Sequence, residues 1–126
     1  ACAQALEKAV ALDPGNPGLR NNLGNAYQML DRAAEALVQH RWAQELGPDD
    51  PRTWLNMGNA YLMLAQWAQA ETAYQQATRL DPGYGDAWAS LASLYQRQGR
   101  QEEANAVLRQ TAAAGDAPGP TPTRRP

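Results

Sequence analysis

Residues 17–50 lie over residues 51–84 without a gap, and 13 of the 34 aligned positions are identical. Unrelated stretches of ordinary composition would share about 2 or 3. Asn22-Leu23-Gly24-Asn25-Ala26-Tyr27 stands over Asn56-Met57-Gly58-Asn59-Ala60-Tyr61, Met29-Leu30 over Met63-Leu64, and Pro48 over Pro82. The register continues: Trp88, Leu91, Tyr95, Gly99 and Ala104 follow Trp54, Met57, Tyr61, Ala65 and Ala70 by 34 residues. Leu12-Asp13-Pro14 precedes Leu80-Asp81-Pro82 by 68. A fixed period of this length means one supersecondary unit, stacked on copies of itself so that each buries a face of the next.

Each period reads as two helices. Pro51 can open the first, because the N–H it lacks has no partner in a first turn. Trp54, Met57, Gly58 and Tyr61 fall at i, i+3, i+4 and i+7, which is one face of a helix. Ala70, Tyr74 and Ala77 do the same for the second, and Asp81-Pro82-Gly83 ends it. The 25 alanines support helix throughout, and β-branched residues, which favour strands, are few. The small residues Gly24, Gly58 and Ala92 are expected where paired helices cross, with Ala36, Ala70 and Ala104 opposite them and Tyr27, Tyr61 and Tyr95 filling the gaps alongside.

The spacing Trp54-x2-Met57-Gly58-x2-Tyr61, Ala70-x3-Tyr74, Ala77-x4-Pro82 resembles the tetratricopeptide repeat (TPR) family. The resemblance covers residues 1 to about 114 and implies an all-α fold, a right-handed superhelix of antiparallel helix pairs (an α-solenoid). Residues 1–16 would be the second helix of a truncated preceding repeat. Residues 17–50, 51–84 and 85–114 would be repeats, and 115–126 a disordered, proline-rich tail. Arg20 replaces the family tryptophan and His40 the second-helix aromatic in the first full repeat, and Ala92 replaces glycine in the third. At the bend between helices the family uses glycine, as at Gly99, whereas Asp31 and Ala65 stand there in the other two repeats. Aspartate tolerates the left-handed conformation; alanine there costs about 1 kcal/mol.

A solenoid with open ends needs polar caps. The first helix lacks a preceding partner, so Cys2, Leu6 and Ala9 are expected on a face that a missing helix would cover. The last helix, about 101–113, runs into Gly115 and the proline-rich tail, which cannot pack as a cap. A piece of a longer array, or self-association through the ends, is expected. The chain begins at Ala1 without Met, which leaves both a removed leader and an internal start open, and the compartment is not legible.

Chemistry is hard to find in these residues. The formal charge of −2 gives no field that points to nucleic acid. No apolar run approaches the roughly 20 residues of a membrane span. One cysteine and one histidine make neither an internal disulfide nor a zinc site. His40 takes an aromatic core position and is expected to be packed. Trp42 and Trp67 are expected over helix seams or on the convex face. No phosphate loop, metal cluster or nucleophile motif occurs, so no catalytic residue, cofactor or enzymatic activity is expected.

Function is expected on the concave wall, which the resemblance assigns to the first helices. Helical spacing puts Gly18, Asn21, Asn22, Asn25, Gln28 and Met29 there in the first full repeat. The second supplies Arg52, Leu55, Asn56, Asn59, Leu62 and Met63, and the third Asp86, Ala89, Ser90, Ser93, Gln96 and Arg97. An amide both donates and accepts, so Asn22, Asn25, Asn56 and Asn59 can pair with the backbone of a peptide whatever its side chains. This resembles the asparagine ladder of O-linked N-acetylglucosamine transferase, although the same asparagines can bond within the array. Ser90 and Ser93 would end the ladder early. Met29, Met63, Leu55 and Leu62 form an apolar strip for a partner or pack between helices. Arg52 and Arg97 face an acidic partner or solvent.

Chaperone-binding members of the family grip a terminal carboxylate with a clamp of cations and asparagines. Its asparagines match Asn25 and Asn56, but its cations fall on Asn21, Asp86 and Ser90, so that mode is not expected. The chain thus reads as a protein-interaction module binding a protein or peptide segment in its groove. Two alternatives remain: a homo-oligomeric scaffold, or the substrate-recruiting segment of a larger enzyme such as a glycosyltransferase.

Overall fold

A computed structural model describes residues 2–116, with side chains described for 3–110. Among the described residues there are seven helices and no strand. They are α1 (Cys2–Leu12), α2 (Pro17–Met29), α3 (Ala33–Leu46), α4 (Pro51–Met63), α5 (Trp67–Leu80), α6 (Gly85–Arg97) and α7 (Gln101–Asp116). Consecutive helices pack antiparallel: α2 on α3, α4 on α5 and α6 on α7 form hairpins, and α1 on α2, α3 on α4 and α5 on α6 join one hairpin to the next. First helices also touch between repeats, α2 against α4. The result is the expected right-handed superhelix of helix pairs.

Local chemistry sets the boundaries. Asn16 and Asp50 cap α2 and α4, their side-chain oxygens accepting from the Leu19 and Arg52 backbone N–H groups at 3.2 and 3.0 Å. Pro17 and Pro51 follow at the first helical position, where a missing N–H costs nothing. The three hairpin turns are alike. Asp31, Ala65 and Gly99 all take positive φ, at 61°, 58° and 75°. In each turn the next residue's N–H reaches back to the tyrosine carbonyl: Arg32 to Tyr27, Gln66 to Tyr61 and Arg100 to Tyr95, at 2.8, 2.9 and 2.8 Å. This closure satisfies carbonyls that a helix end otherwise leaves open.

The helix crossings add a partner to the expected small residues. Ala36, Ala70 and Ala104 are fully buried, and the atoms nearest Gly24 and Gly58 belong to a second-helix ring four residues further on. A Cβ on Gly24 would lie 2.5 Å from the His40 ring, and one on Gly58 2.5 Å from the Tyr74 ring. The large second-helix ring lies across the first helix, and only glycine leaves room beneath it. Tyr74, Leu94, His40 and Thr53 are the largest fully buried side chains.

The ends also differ from expectation. Leu6 does not lie only on an abandoned face: it packs on the cluster of Ala3, Val10, Leu23, Ala26, Tyr27 and Ala36. Helix α7 runs to Asp116, past the expected stop, because Ala112-Ala113-Ala114 have high helix propensity. The rest of the expected tail, 117–126, and the side chain of Cys2 lie outside the described residues.

Candidate functional site: the asparagine-lined concave wall

Both crossings put a polar ring atom against asparagines of the first helix, in different ways. In α5, the Tyr74 hydroxyl donates to Asn59 Oδ1 at 2.6 Å. Burial pushes the Tyr74 phenol up to about 12. The register places Asn25 at the equivalent site of α2, but His40 is shorter than tyrosine and does not reach it. Its Nδ1 lies 3.0 Å from Asn21 Oδ1 and its Nε2 3.2 Å from Gln28 Oε1. Desolvation lowers the His40 pKa to about 4, so the ring is neutral at pH 7. A neutral imidazole has one N–H and serves one of these two oxygens at a time.

These contacts sort the predicted residues. Asn21 turns into the array: its Nδ2 donates to Thr53 Oγ1 at 2.8 Å and its oxygen meets His40. Gln28 likewise donates to the Asn56 backbone carbonyl at 3.4 Å. Asn59 gives its oxygen to Tyr74 and keeps its amide N–H groups. Asn22 and Asn25 are exposed and Asn56 half-buried, and their side chains make no hydrogen bond among the described residues. These three amides come together. With Gly18, Asn21 and Arg52 they line a hollow of about 290 Å³. A second, apolar hollow of about 450 Å³ adjoins it, lined by Ala5, Leu6, Asn22, Asn25, Ala26 and Met29. Asn22 and Asn25 belong to both, so a polar hollow at α2–α4 and an apolar one at α1–α2 lie side by side.

The other predicted residues are dispersed. Met29 is 88% exposed at the apolar end, and Met63 is 44% exposed. Leu55 and Leu62 pack on the core cluster around Tyr74 and Leu91 and so serve the fold. Arg52 pairs with Asp50 at 2.9 Å on the rim. Ser90 is half-buried and Arg97 exposed on α6; neither lines the two hollows.

Sequence reasoning missed the work of Arg20. Its Nε donates to the Pro14 carbonyl at 3.1 Å, as the Trp88 indole N–H donates to the equivalent Pro82 carbonyl at 2.8 Å. The guanidinium also lies 4.9 Å from the centre of the Trp42 ring. An N–H at the same reach was the available signal, and it is invisible to a hydrophobic pattern. Among the described residues no group of three or more His, Cys, Asp or Glu side chains is placed to hold a metal ion. No described helix is long and apolar enough to cross a membrane.

Family models for the tetratricopeptide repeat match residues 51–84, and, in a second form, residues 5–38 and 73–104. The chain belongs to the tetratricopeptide repeat family. No curated protein matches it closely enough to lend a more specific activity. Among solved structures, a crystal structure of MamA protein is similar with a TM-score of 0.84 at 22% identity, covering 98% of this chain and 68% of that one. A second MamA crystal structure gives 0.81 at 23%, covering 90% and 66%. The chain thus spans about two thirds of the length of the MamA chains. The first TPR of Spaghetti (RPAP3), bound to the HSP90 peptide SRMEEVD, gives 0.73 at 25%, covering 77% of each chain. The TPR fold and its stacked hairpins make this chain a protein-interaction scaffold.

Proposed function

We propose that the scaffold binds an extended, uncharged peptide segment along α2 and α4. Asn22, Asn25, Asn56 and the amide N–H groups of Asn59 hold the peptide backbone, and one apolar side chain enters the hollow beside Leu6 and Met29. The observation that carries this reading is the pair of adjacent hollows, with Asn22 and Asn25 lining both. Primary amides at a groove floor match the donor and acceptor of a peptide bond without selecting its side chain. Asn21 is set aside because its Nδ2 donates to Thr53 and its oxygen lies against the His40 ring. Ser90 and Arg97 lie beyond the two hollows and would meet only a longer ligand.

The RPAP3 repeat structure holds an acidic peptide. Here Asn21, Asp86 and Ser90 stand where a carboxylate clamp wants cations, so a free terminal carboxylate is not the feature recognised. In this reading the repeats run 17–50, 51–84 and 85–114, each one hairpin, after a lone second helix in 1–16, and the chain acts by binding rather than by catalysis. Selection of peptides from an unbiased library, followed by titration, tests it. The Asn22→Ala/Asn25→Ala/Asn56→Ala variant is expected to fold normally and to weaken the selected peptides about tenfold or more, a few lost net hydrogen bonds at about 1 kcal/mol each. Unchanged affinity in the folded variant removes the amides from the account.

A further inference from the structure

The three hairpins share a slot on the side of the first helix away from the groove, and only two of them fill it with their own residues. In the first, Arg32 lies with its guanidinium carbon 4.4 Å from the centre of the Tyr27 ring, and its Nε donates to Glu35 at 2.7 Å. In the third, Arg100 lies 4.4 Å from the centre of the Tyr95 ring, and its Nε donates to Glu103 at 2.7 Å. The 34-residue register carries Tyr27 to Tyr61, Arg32 to Gln66 and Glu35 to Gln69. The second hairpin therefore keeps the ring and lacks both the cation and the anion three positions after it; Arg100 is held by Glu71 of the preceding hairpin as well, at 2.9 Å.

What stands there is an open cavity of about 240 Å³, lined by Trp54, Tyr61, Ala68, Gln69, Thr72 and Ala73. Trp54 and Asn56 are two residues apart on α4, about 200° around the helix, so this cavity and the asparagine groove open on opposite sides. They share no lining residue.

We propose that this slot is a second docking site, one that takes an arginine side chain from a partner protein. The chain itself supplies the argument for the occupant. Twice, at the equivalent place, a guanidinium lies on the tyrosine ring and donates to the side chain three positions after it in sequence. In the open slot the Tyr61 ring offers the negative face that attracts a cation, the Trp54 indole borders the same cavity, and the Gln69 carbonyl can accept where Glu35 and Glu103 accept.

The test is a titration of the whole chain with N-acetyl-arginine methylamide, following the Trp54 indole N–H by heteronuclear NMR, with N-acetyl-leucine methylamide as the apolar control. A saturable Trp54 shift with the arginine probe and none with the leucine probe is expected. Gln66→Arg together with Gln69→Glu gives the second hairpin the plug of its neighbours, so the variant has a built-in precedent for folding. It should abolish the shift. Tyr61→Leu should weaken binding about threefold, the usual scale of one exposed cation–ring contact. An equal response to the leucine probe would show a merely apolar hollow and overturn the proposal. So would a full response in the double variant, or no saturable response to arginine. The Asn22→Ala/Asn25→Ala/Asn56→Ala variant should respond as the parent does, so this site and the peptide groove stand or fall separately.

Discussion

The crossing of α2 with α3 and the crossing of α4 with α5 are built on one register, and they solve the same packing problem with different polar chemistry. Both use a first-helix glycine beneath a second-helix ring. Tyr74 sends its hydroxyl through to Asn59 and ties that amide to the core. His40 stops short, lies between Asn21 and Gln28 and serves one of them at a time, and does not reach Asn25. The identity of one buried ring thus decides which asparagine of the repeat is bonded to the core and which makes no side-chain hydrogen bond among the described residues. Asparagines in a repeat motif are not interchangeable, even when the motif that carries them is.

The largest expected contrast between the crossings is their response to acid. His40 is neutral and buried with its pKa near 4, while an unfolded histidine titrates near 6.5. Below 6.5 the unfolded chain takes up a proton that the folded chain refuses. Stability is therefore fully present above pH 6.5, falls as the pH drops from 6.5 towards 4, and levels off below, for a total of roughly 3 kcal/mol. Urea unfolding of the parent and of His40→Tyr at pH 7 and pH 4.5 checks this. The parent should lose most of that amount and the variant little in the same window. A parent whose stability is flat over the window would show that His40 is not held neutral.

The second contrast concerns the amides. Asn59→Ala leaves the buried Tyr74 hydroxyl without its acceptor and should cost about 1–3 kcal/mol. Asn25→Ala removes an exposed side chain with no hydrogen bond among the described residues and should stay within about 0.5 kcal/mol. Equal losses in thermal or urea unfolding would erase the distinction between the core-bonded Asn59 and the exposed Asn25.

The smallest effect lies in the turns. Ala65 holds φ 58° where Asp31 holds 61°. Ala65→Gly relieves a strained alanine and should stabilise by about 1 kcal/mol, whereas Asp31→Gly should gain less, because aspartate tolerates this conformation. A larger gain at Asp31 in calorimetric melting would reverse the assignment of strain.

Much of this was legible in the residues. The 34-residue register, the proline start at Pro51, the left-handed turns at Asp31 and Ala65, and the packed His40 all follow from local chemistry that repeats. The glycine partners were not legible. Spacing along α3 and α5 says which residues share a face, and which of them reaches across depends on side-chain length; so the rings of His40 and Tyr74 lie nearest the glycines. The direction of Asn21 was also hidden, since it sits at the edge of the inward face and turns to Thr53 of the next repeat. The arginine plugs could have been read, because Arg32 with Glu35 and Arg100 with Glu103 recur 68 residues apart with a gap at Gln66 and Gln69.

The most direct trial of the concave wall follows the side-chain amide resonances of its asparagines while an uncharged selected peptide is added. The account predicts that Asn22, Asn25 and Asn56 shift with saturation and that Asn21, held by Thr53 and His40, stays where it was. Shifts confined to Asn21, or a peptide that moves none of these signals while binding elsewhere on the chain, would contradict it.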